Sequence, residues 1–381
     1  MGEPSGFGAA RSFGAVRGRA RIATLLATLL LLIGAAVAGG WLWLEHEFNA
    51  PGPASAAVRI EVEPGTSIRS VLARLETSGS LRNARAVEWY LRLHGRKPRM
   101  QSGAYELPPQ ASPAQILTLF EEGRVILEQV TVVEGATFAD FLAALEEHPR
   151  IAHTLQGKSP AEIMTSLGHP GVAPEGEFFP DTYRFAANTT DLAILTLAYE
   201  SMQRALAAAW QLRSPELPLA TPYQALILAS MVEKEAALPA ERPLIAGVFV
   251  NRLRKGMRLQ SDPTVVYGLG ERYDGTIHTR DLQRDNPYNT YTREGLPPSP
   301  IALPGRESLH AAVQPAPTAA LYFVATGLGD GAHHFSSTLQ EHNTAVQTYL
   351  ERLRTSAHGA AAKSPLTAPA ANDGGAGARQ P

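Results

Sequence analysis

At 381 residues, with 44% apolar and 18% charged composition, the chain can hold a large core divided over two or three domains. A formal net charge of −2 excludes the globally basic balance of a nucleic-acid binder. The absence of cysteine excludes disulfides and thiolate chemistry.

Residues 1–21 are rich in Gly, Ser and Ala and carry Arg11, Arg17, Arg19 and Arg21 against one acid, Glu3. Ile22 to Leu44 is then an unbroken apolar run. About 20 such residues cross a hydrocarbon core of about 30 Å, so residues 22–44 predict a transmembrane helix. Trp41 and Trp43 fall where an interfacial aromatic belt belongs. The arginines before the span, with Glu45 and Glu47 after it, place the N-terminus inside and the remainder outside. Ala36-Val-Ala38 resembles the cleavage site of a signal peptide, but the apolar run continues past it, which favours a retained anchor. Residues 45–57, with Pro51-Gly-Pro53, read as a linker.

The stretch 58–127 reads as a small α/β module. Val58 to Glu63 alternates apolar and charged residues as a strand does, and Pro64-Gly65 turns it. Thr66 or Ser67 caps a helix through Glu76, and Asn83 or Ala84 opens another through Leu93. Gly103 to Leu107 returns as a strand. Strand–helix–helix–strand in this span resembles a LysM-type glycan-binding module; the pattern alone leaves a generic spacer open. Ile60 to Glu76 aligns without gaps with Val130 to Glu146, so one strand–turn–capped-helix unit is used twice, the second copy opening a domain over residues 128–355. Two copies do not make a solenoid.

Pro160 to Leu167 predicts a short helix, and Asp191 to Leu212 a long amphipathic one. Between them Pro174 to Tyr183 is a loop with Glu175, Glu177 and Asp181; Glu-Gly and Asp-Thr suit tight-turn backbone bonding, so scaffolding is favoured over catalysis there.

Thr221 is a good N-cap, Pro222 suits the first helical position, and no Gly or Pro interrupts the run to Glu235. At about 100° per residue, Glu235 lies on the side of Gln224, Ile227, Leu228, Met231 and Val232, whereas Glu233 lies opposite, beside Leu226, Ala229 and Ser230. A carboxyl held against apolar surface resists ionising, which is the profile of a general acid. The bland reading of Glu-Lys-Glu is a solvated last turn. A helix is expected over Glu241 to Leu253, followed by a loop from Arg254 to Gly268 carrying Gln260, Ser261, Asp262 and Thr264. Asn286 to Tyr291, with Tyr288, Asn289 and Tyr291, and Gly295 to Ile301 are further polar loops. Amides, hydroxyls and tyrosines of this kind line carbohydrate grooves.

Leu309 to Val313 predicts a short helix, Ala320 to Ala325 a buried strand, and His333 to Ser336 another strand. His333-His334 has no acid or thiol at metal-ligand spacing, so neither a metal nor a cofactor is expected. Thr338 to Arg354 is a terminal helix, and the Ala/Pro/Gly-rich residues 356–381 read as a disordered tail.

Several of these motifs are jointly specific. Pro174 to Tyr183, Val232-Glu-Lys-Glu235, Phe249-Val-Asn-Arg-Leu253, Met257 to Thr264, Tyr288-Asn-Thr-Tyr291 and Gly295-Leu-Pro-Pro298 closely resemble the YceG-like family of endolytic murein transglycosylases, over roughly Val58 to Arg354. The resemblance implies a single-pass enzyme on the outer side of the cytoplasmic (inner) membrane. It implies cleavage of peptidoglycan glycan strands between MurNAc and GlcNAc, in terminating or trimming nascent strands, with peptidoglycan synthases as possible protein partners. It also places the His333 strand near the cleft, where one of the two histidines contacts substrate. Such a lyase works with one carboxylate, because the sugar's own C6 hydroxyl is the nucleophile and is already held in place. Glu235 is the expected acid/base. Gln260, Ser261, Asp262, Thr264, Tyr288, Asn289 and Tyr291 are expected to hold substrate or stabilise the oxocarbenium ion. A two-carboxylate hydrolase recruiting Glu175, Glu177 or Asp262, and a non-catalytic glycan-binding scaffold, are the alternatives. The expected fold class is α+β: one transmembrane helix, a LysM-like α/β module and a mixed α/β catalytic domain.

Overall fold

The structure is a computed structural model that describes residues 13–63 and 65–362, with side chains for 21–63 and 65–355. In chain order the elements are α1 (Phe13–Asn49), β1 (Val58–Val62), α2 (Ile68–Thr77), α3 (Ala84–Leu93), β2 (Gly103–Leu107), α4 (Pro113–Glu121), β3 (Leu127–Thr131), α5 (Phe138–Glu146), β4 (Ile151–Ala152), α6 (Pro160–Ser166), β5 (Thr182–Ala186), β6 (Thr189–Thr190), α7 (Asp191–Gln211), α8 (Pro222–Glu235), α9 (Arg242–Arg254), α10 (Asp262–Leu269), α11 (Thr279–Gln283), α12 (Arg306–Val313), β7 (Tyr322–Ala325), β8 (His333–Ser336) and α13 (Leu339–Ala362). The mixed α/β content and the apolar N-terminal helix match the expected class. The chain divides into two compact units, residues 1–129 with 184–189, and residues 130–183 with 190–381.

In the first unit β1 pairs antiparallel with β2, from Val58 opposite Leu107 to Val62 opposite Gly103. Ser67 caps α2 by accepting from Ser70 N, and Asn83 caps α3 by accepting from Ala86 N. Val71, Leu75, Val87, Leu91 and Tyr105 are buried in one core, joined by Ile116 and Phe120 of α4, a helix the sequence reading passed over. Ser112 and Gln115 close a capping box at its start. The apolar part of α1 is unpacked, with Leu25, Leu30 and Leu31 each about 70% exposed. This helix runs past Leu44 to Asn49, into the predicted linker, and Phe48 enters the core. Pro51 is what ends it, since a residue before proline is pushed out of the helical region.

In the second unit the repeat of the strand–turn–helix unit is realised as the last residues of β3, Val130 and Thr131, and α5, where Thr137 and Asp140 form a capping box. The core is built on α8, whose Ala225 to Val232 are all buried, against α7, α9 and α12. Three expectations differ. The second half of the loop 254–268 is helix α10, because Asp262-Pro263 puts an acid and a proline in a first turn. The strand β7 is half-buried rather than buried and forms an antiparallel hairpin with β8, Ala325 opposite His333. Helix α13 runs beyond Arg354 to Ala362. The rest of the predicted tail, 363–381, and residues 1–12 lie outside the described residues.

Candidate active site

Helix α8 keeps its geometry to its last residue. Thr221 accepts from Gln224 N at 3.2 Å to start it, and Ala236 N still donates to Val232 O at 3.0 Å at its end. Ala236 itself is extended (φ −84°, ψ 100°), so the chain leaves abruptly after Glu235. The two acids therefore stay on different sides, and their partners differ in kind. Glu233, with a side chain 5% exposed, accepts from Arg242 Nη2 at 2.9 Å and from Gly305 N at 2.9 Å. Both of its carboxylate oxygens are engaged. Among the described residues Glu235 has a single hydrogen-bond partner, the Ser261 hydroxyl, which donates to Oε1 at 2.6 Å.

Burial pushes the Glu235 carboxyl up to about 7, and the charge of neighbouring Asp262 adds to the rise; the Ser261 bond and Arg252 oppose it. The residue nonetheless keeps part of its surface open. Dense surroundings on one side with an opening on the other suit an acid that must meet a substrate. The opening is a cavity of about 570 Å³, lined by Glu235, Ala237, the turn from Ala325 to His333, Tyr349 and Leu353.

Ser261 occupies the N-cap of α10 yet makes no side-chain capping bond, because its hydroxyl is turned to Glu235. The backbone before it is held in an uncommon conformation: Gln260 has φ +51°, its N–H donates to Thr290 O, and Ser261 N donates to Thr290 Oγ1. A non-glycine residue in the left-handed region persists only where its surroundings fix it. Arg252 of α9 supplies part of that fixing. Its guanidinium donates to the carbonyls of Leu321, Arg258 and Leu259 and to Gln260 Oε1, and lies 5.2 Å over the Tyr322 ring.

The predicted substrate residues separate into two groups. Ser261 touches Glu235, exposed Asp262 accepts from Tyr291 OH at 2.5 Å, and Gln260 is exposed beside them. Half-buried Tyr288 shares a bond of 2.7 Å between its hydroxyl and Ser299 Oγ. Thr264 and Asn289, in contrast, have no exposed surface. Thr264 Oγ1 bonds Ser261 O and Thr290 Oγ1, and Asn289 Nδ2 donates to the carbonyls of Asp281, Leu282 and Arg284. Their polar atoms are spent holding the loops in shape.

The other acids are also engaged. Glu175, pushed up to about 7 by burial, accepts from Phe138 N at 3.0 Å and Tyr267 OH at 3.2 Å. Glu177, pushed up to about 6 by burial, accepts from Gln203 Nε2 at 2.7 Å. Two residues were missed in the sequence. One is Arg252, which sits in the motif Phe249-Val-Asn-Arg-Leu253 but was given no role there. The other is Glu241, which accepts from His333 N at 2.9 Å and sits 2.7 Å from His333 Nδ1, so it orients the one histidine that lines the cavity. Among the described residues no group of three His, Asp or Glu side chains is disposed to hold a metal ion.

An acid pushed up toward neutrality by burial, bonded to one hydroxyl and facing an opening walled by a hairpin, has the profile that general acid/base chemistry needs. The chain belongs to the YceG-like family, whose model matches residues 60–348. It is 30% identical to the endolytic murein transglycosylase of Bacillus subtilis (strain 168), over 84% of this chain and 91% of that protein. It is 24% identical to the endolytic murein transglycosylase of Streptococcus pneumoniae (strain D39), over 85% of this chain and 64% of that longer protein. The crystal structure of a yceG-like protein from Listeria monocytogenes is 29% identical, covers 76% of this chain and 99% of its own, and superposes with a TM-score of 0.46.

Proposed function

We propose that the protein is a membrane-anchored endolytic lytic transglycosylase, and that Glu235 is its single acid/base. The observation that carries the reading is the setting of Glu235: bonded to the Ser261 hydroxyl, open to a cavity, and surrounded closely enough that burial pushes its carboxyl up to about 7. The protonated carboxyl donates its proton to the oxygen bridging C1 of MurNAc and C4 of GlcNAc, and the C1–O bond breaks. The MurNAc C6 hydroxyl attacks C1 and its proton passes to the Glu235 carboxylate, which restores the acid and leaves a 1,6-anhydro end. No water is consumed. The attacking hydroxyl belongs to the same sugar, so its effective concentration is high without a water-activating base.

In this reading Ser261 holds the Glu235 carboxyl in position, and the Asp262 charge stabilises the developing oxocarbenium ion while helping to keep Glu235 protonated. Tyr291, Tyr288 and Gln260 contact the sugars. Thr264 and Asn289 keep the loops that present these groups. His333, oriented by Glu241, offers its Nε2 to a saccharide hydroxyl. Residues 128–355 form the catalytic domain, and 58–127 a LysM-like module. The segment Arg21–Asn49, long and apolar enough to cross a bilayer, anchors the chain with its bulk outside the inner membrane. That position suits release or trimming of nascent strands beside the synthases.

A two-carboxylate hydrolase requires a second carboxylate to activate water. Glu175 and Glu177 are tied to backbone and amide donors, which leaves Asp262 as the remaining candidate. Digestion of purified glycan strands followed by mass spectrometry tests the proposal. Anhydro-ended internal fragments from the wild type, and none from Glu235→Gln, are expected. Equal fragment yield from Glu235→Gln would refute it.

A further inference from the structure

The last turns of α1 are locked to α3. The Trp41 ring lies 4.9 Å from the His94 ring, and Glu45 Oε1 is 3.1 Å from His94 Nε2. The Phe48 ring stacks on Tyr90 at 3.7 Å, and the Arg96 guanidinium lies 6.0 Å over Phe48. Trp41 belongs to the last turn of the apolar run, so His94 is level with the end of that run. If α1 crosses a bilayer, the residues around His94 are carried to the headgroup layer by these contacts and not by a flexible tether.

That part of the surface has the composition of an interface. Tyr90 and Leu91 face inward, which leaves Trp89 (56% exposed) and Leu93 (52% exposed), four residues apart, together on the outer face of α3. Beside them Arg92 and Arg96 are ion-paired with Glu88 and Glu121, exposed Lys97 and Arg99 follow, and Arg85 lies one turn before Trp89. Arg92 is 5.8 Å from the Trp89 ring centroid. An exposed tryptophan and leucine flanked by cations make a poor water-facing helix and a good membrane-surface one, the rings entering the interface and the cations meeting phosphates.

We propose that the outer face of α3 and the loop behind it, Trp89, Leu93, Lys97 and Arg99, rest on an anionic phospholipid surface beside the exit of α1. The proposal rests on the reading of α1 as a membrane anchor. Its consequence is that the first unit is seated on the bilayer in one orientation. The charge complementarity and the continuity with α1 commit the face to lipid; a glycan strand is the competing occupant.

The chain has no cysteine, so single cysteines introduced at Leu30, Trp89 and Leu93 label uniquely. The full-length protein carrying an environment-sensitive fluorophore at each site is placed in phosphatidylcholine bilayers, with or without phosphatidylglycerol. Quenching by brominated acyl chains is then compared with quenching by aqueous acrylamide. Leu30→Cys reports the anchor and is expected to be lipid-quenched and acrylamide-shielded in both membranes. Trp89→Cys and Leu93→Cys are expected to behave likewise in the anionic membrane and to be less shielded in the neutral one. Each lysine or arginine near an anionic surface changes partition about fivefold, so Lys97→Gln with Arg99→Gln is expected to lower the docked-to-undocked ratio more than tenfold.

Shielding at Leu30 with full acrylamide access at Trp89 and Leu93 would overturn the docking while the anchor stands. Acrylamide access at Leu30 would overturn the anchor and the docking with it. Shielding at Trp89 and Leu93 that arises only when glycan strands are added would assign the face to the sugar polymer instead.

Discussion

Glu235→Gln keeps the size of the side chain and a carbonyl that still accepts from Ser261, but it removes both the transferable proton and the charge. The activity of the variant is expected to fall about 10²–10⁴-fold, as for loss of a general acid/base. Stability provides a second and independent readout. The folded pKa of Glu235, about 7, lies above the unfolded value of 4.5, so the folded state binds the extra proton between them. Stability from this group is therefore present at low pH and lost as pH rises from about 4.5 through 7. At about 1.4 kcal/mol per pH unit, the full cost of ionising Glu235 in place reaches about 3 kcal/mol, and partial solvent access reduces it to about 1–3 kcal/mol. Gln carries no such cost. The variant is expected to match the wild type near pH 5 and to be more stable by about 1–3 kcal/mol at pH 8, a rise in Tm of several degrees. Thermal unfolding of both proteins across that pH range measures it. Glu175 and Glu177 titrate in the same window but cancel in the difference. A variant whose stability relative to wild type does not change with pH would refute the claim that this carboxyl is held protonated by its surroundings.

The other substitutions separate positioning from chemistry. Glu233→Gln leaves the half-buried Arg242 with only its longer contact to Glu134, so thermal unfolding is expected to show a loss of about 1–3 kcal/mol while activity stays within about tenfold of wild type. Asn289→Ala leaves the carbonyls of Asp281, Leu282 and Arg284 without their shared donor, for a destabilisation of about 1–3 kcal/mol in chemical denaturation. Glu241→Gln loosens His333 and is expected to lower turnover about 10–100-fold with little change in Tm, and His333→Ala is expected to add nothing further to that loss. A full additive loss in the double variant would show that the two act separately.

The parts of the site legible in the sequence are those set by local chemistry. Thr221, Pro222 and the uninterrupted run after them specify α8, and helical periodicity alone separates Glu233 from Glu235. The same logic falls short where a partner lies far along the chain. Glu241 and His333 meet across 92 positions, and Arg252 reaches the Leu321 carbonyl across 69, so neither pairing leaves a trace in composition or spacing. Residue type also misleads about exposure. Asn289 and Thr264 have the hydrogen-bonding groups of a sugar-binding loop, but a loop that turns as sharply as 281–291 needs internal donors for its own carbonyls. Helix α10 was hidden for a related reason: its polar start, Ser261-Asp262, reads as loop until the Pro263 position is weighed as a first helical turn. In α1, by contrast, hydropathy located the apolar run, but only the packing of Phe48 and Trp41 revealed that the helix ends inside a folded module.

In the proposed mechanism Glu235 drives attack by the substrate's own hydroxyl and not by water. Digestion of glycan strands by the purified protein in ¹⁸O-labelled water reads this directly. Fragments with 1,6-anhydro ends that carry no ¹⁸O are predicted, at a rate that falls when Glu235 is changed to Gln. New reducing ends carrying ¹⁸O would mean that water is the nucleophile, and would make the protein a hydrolase with a second carboxylate at work.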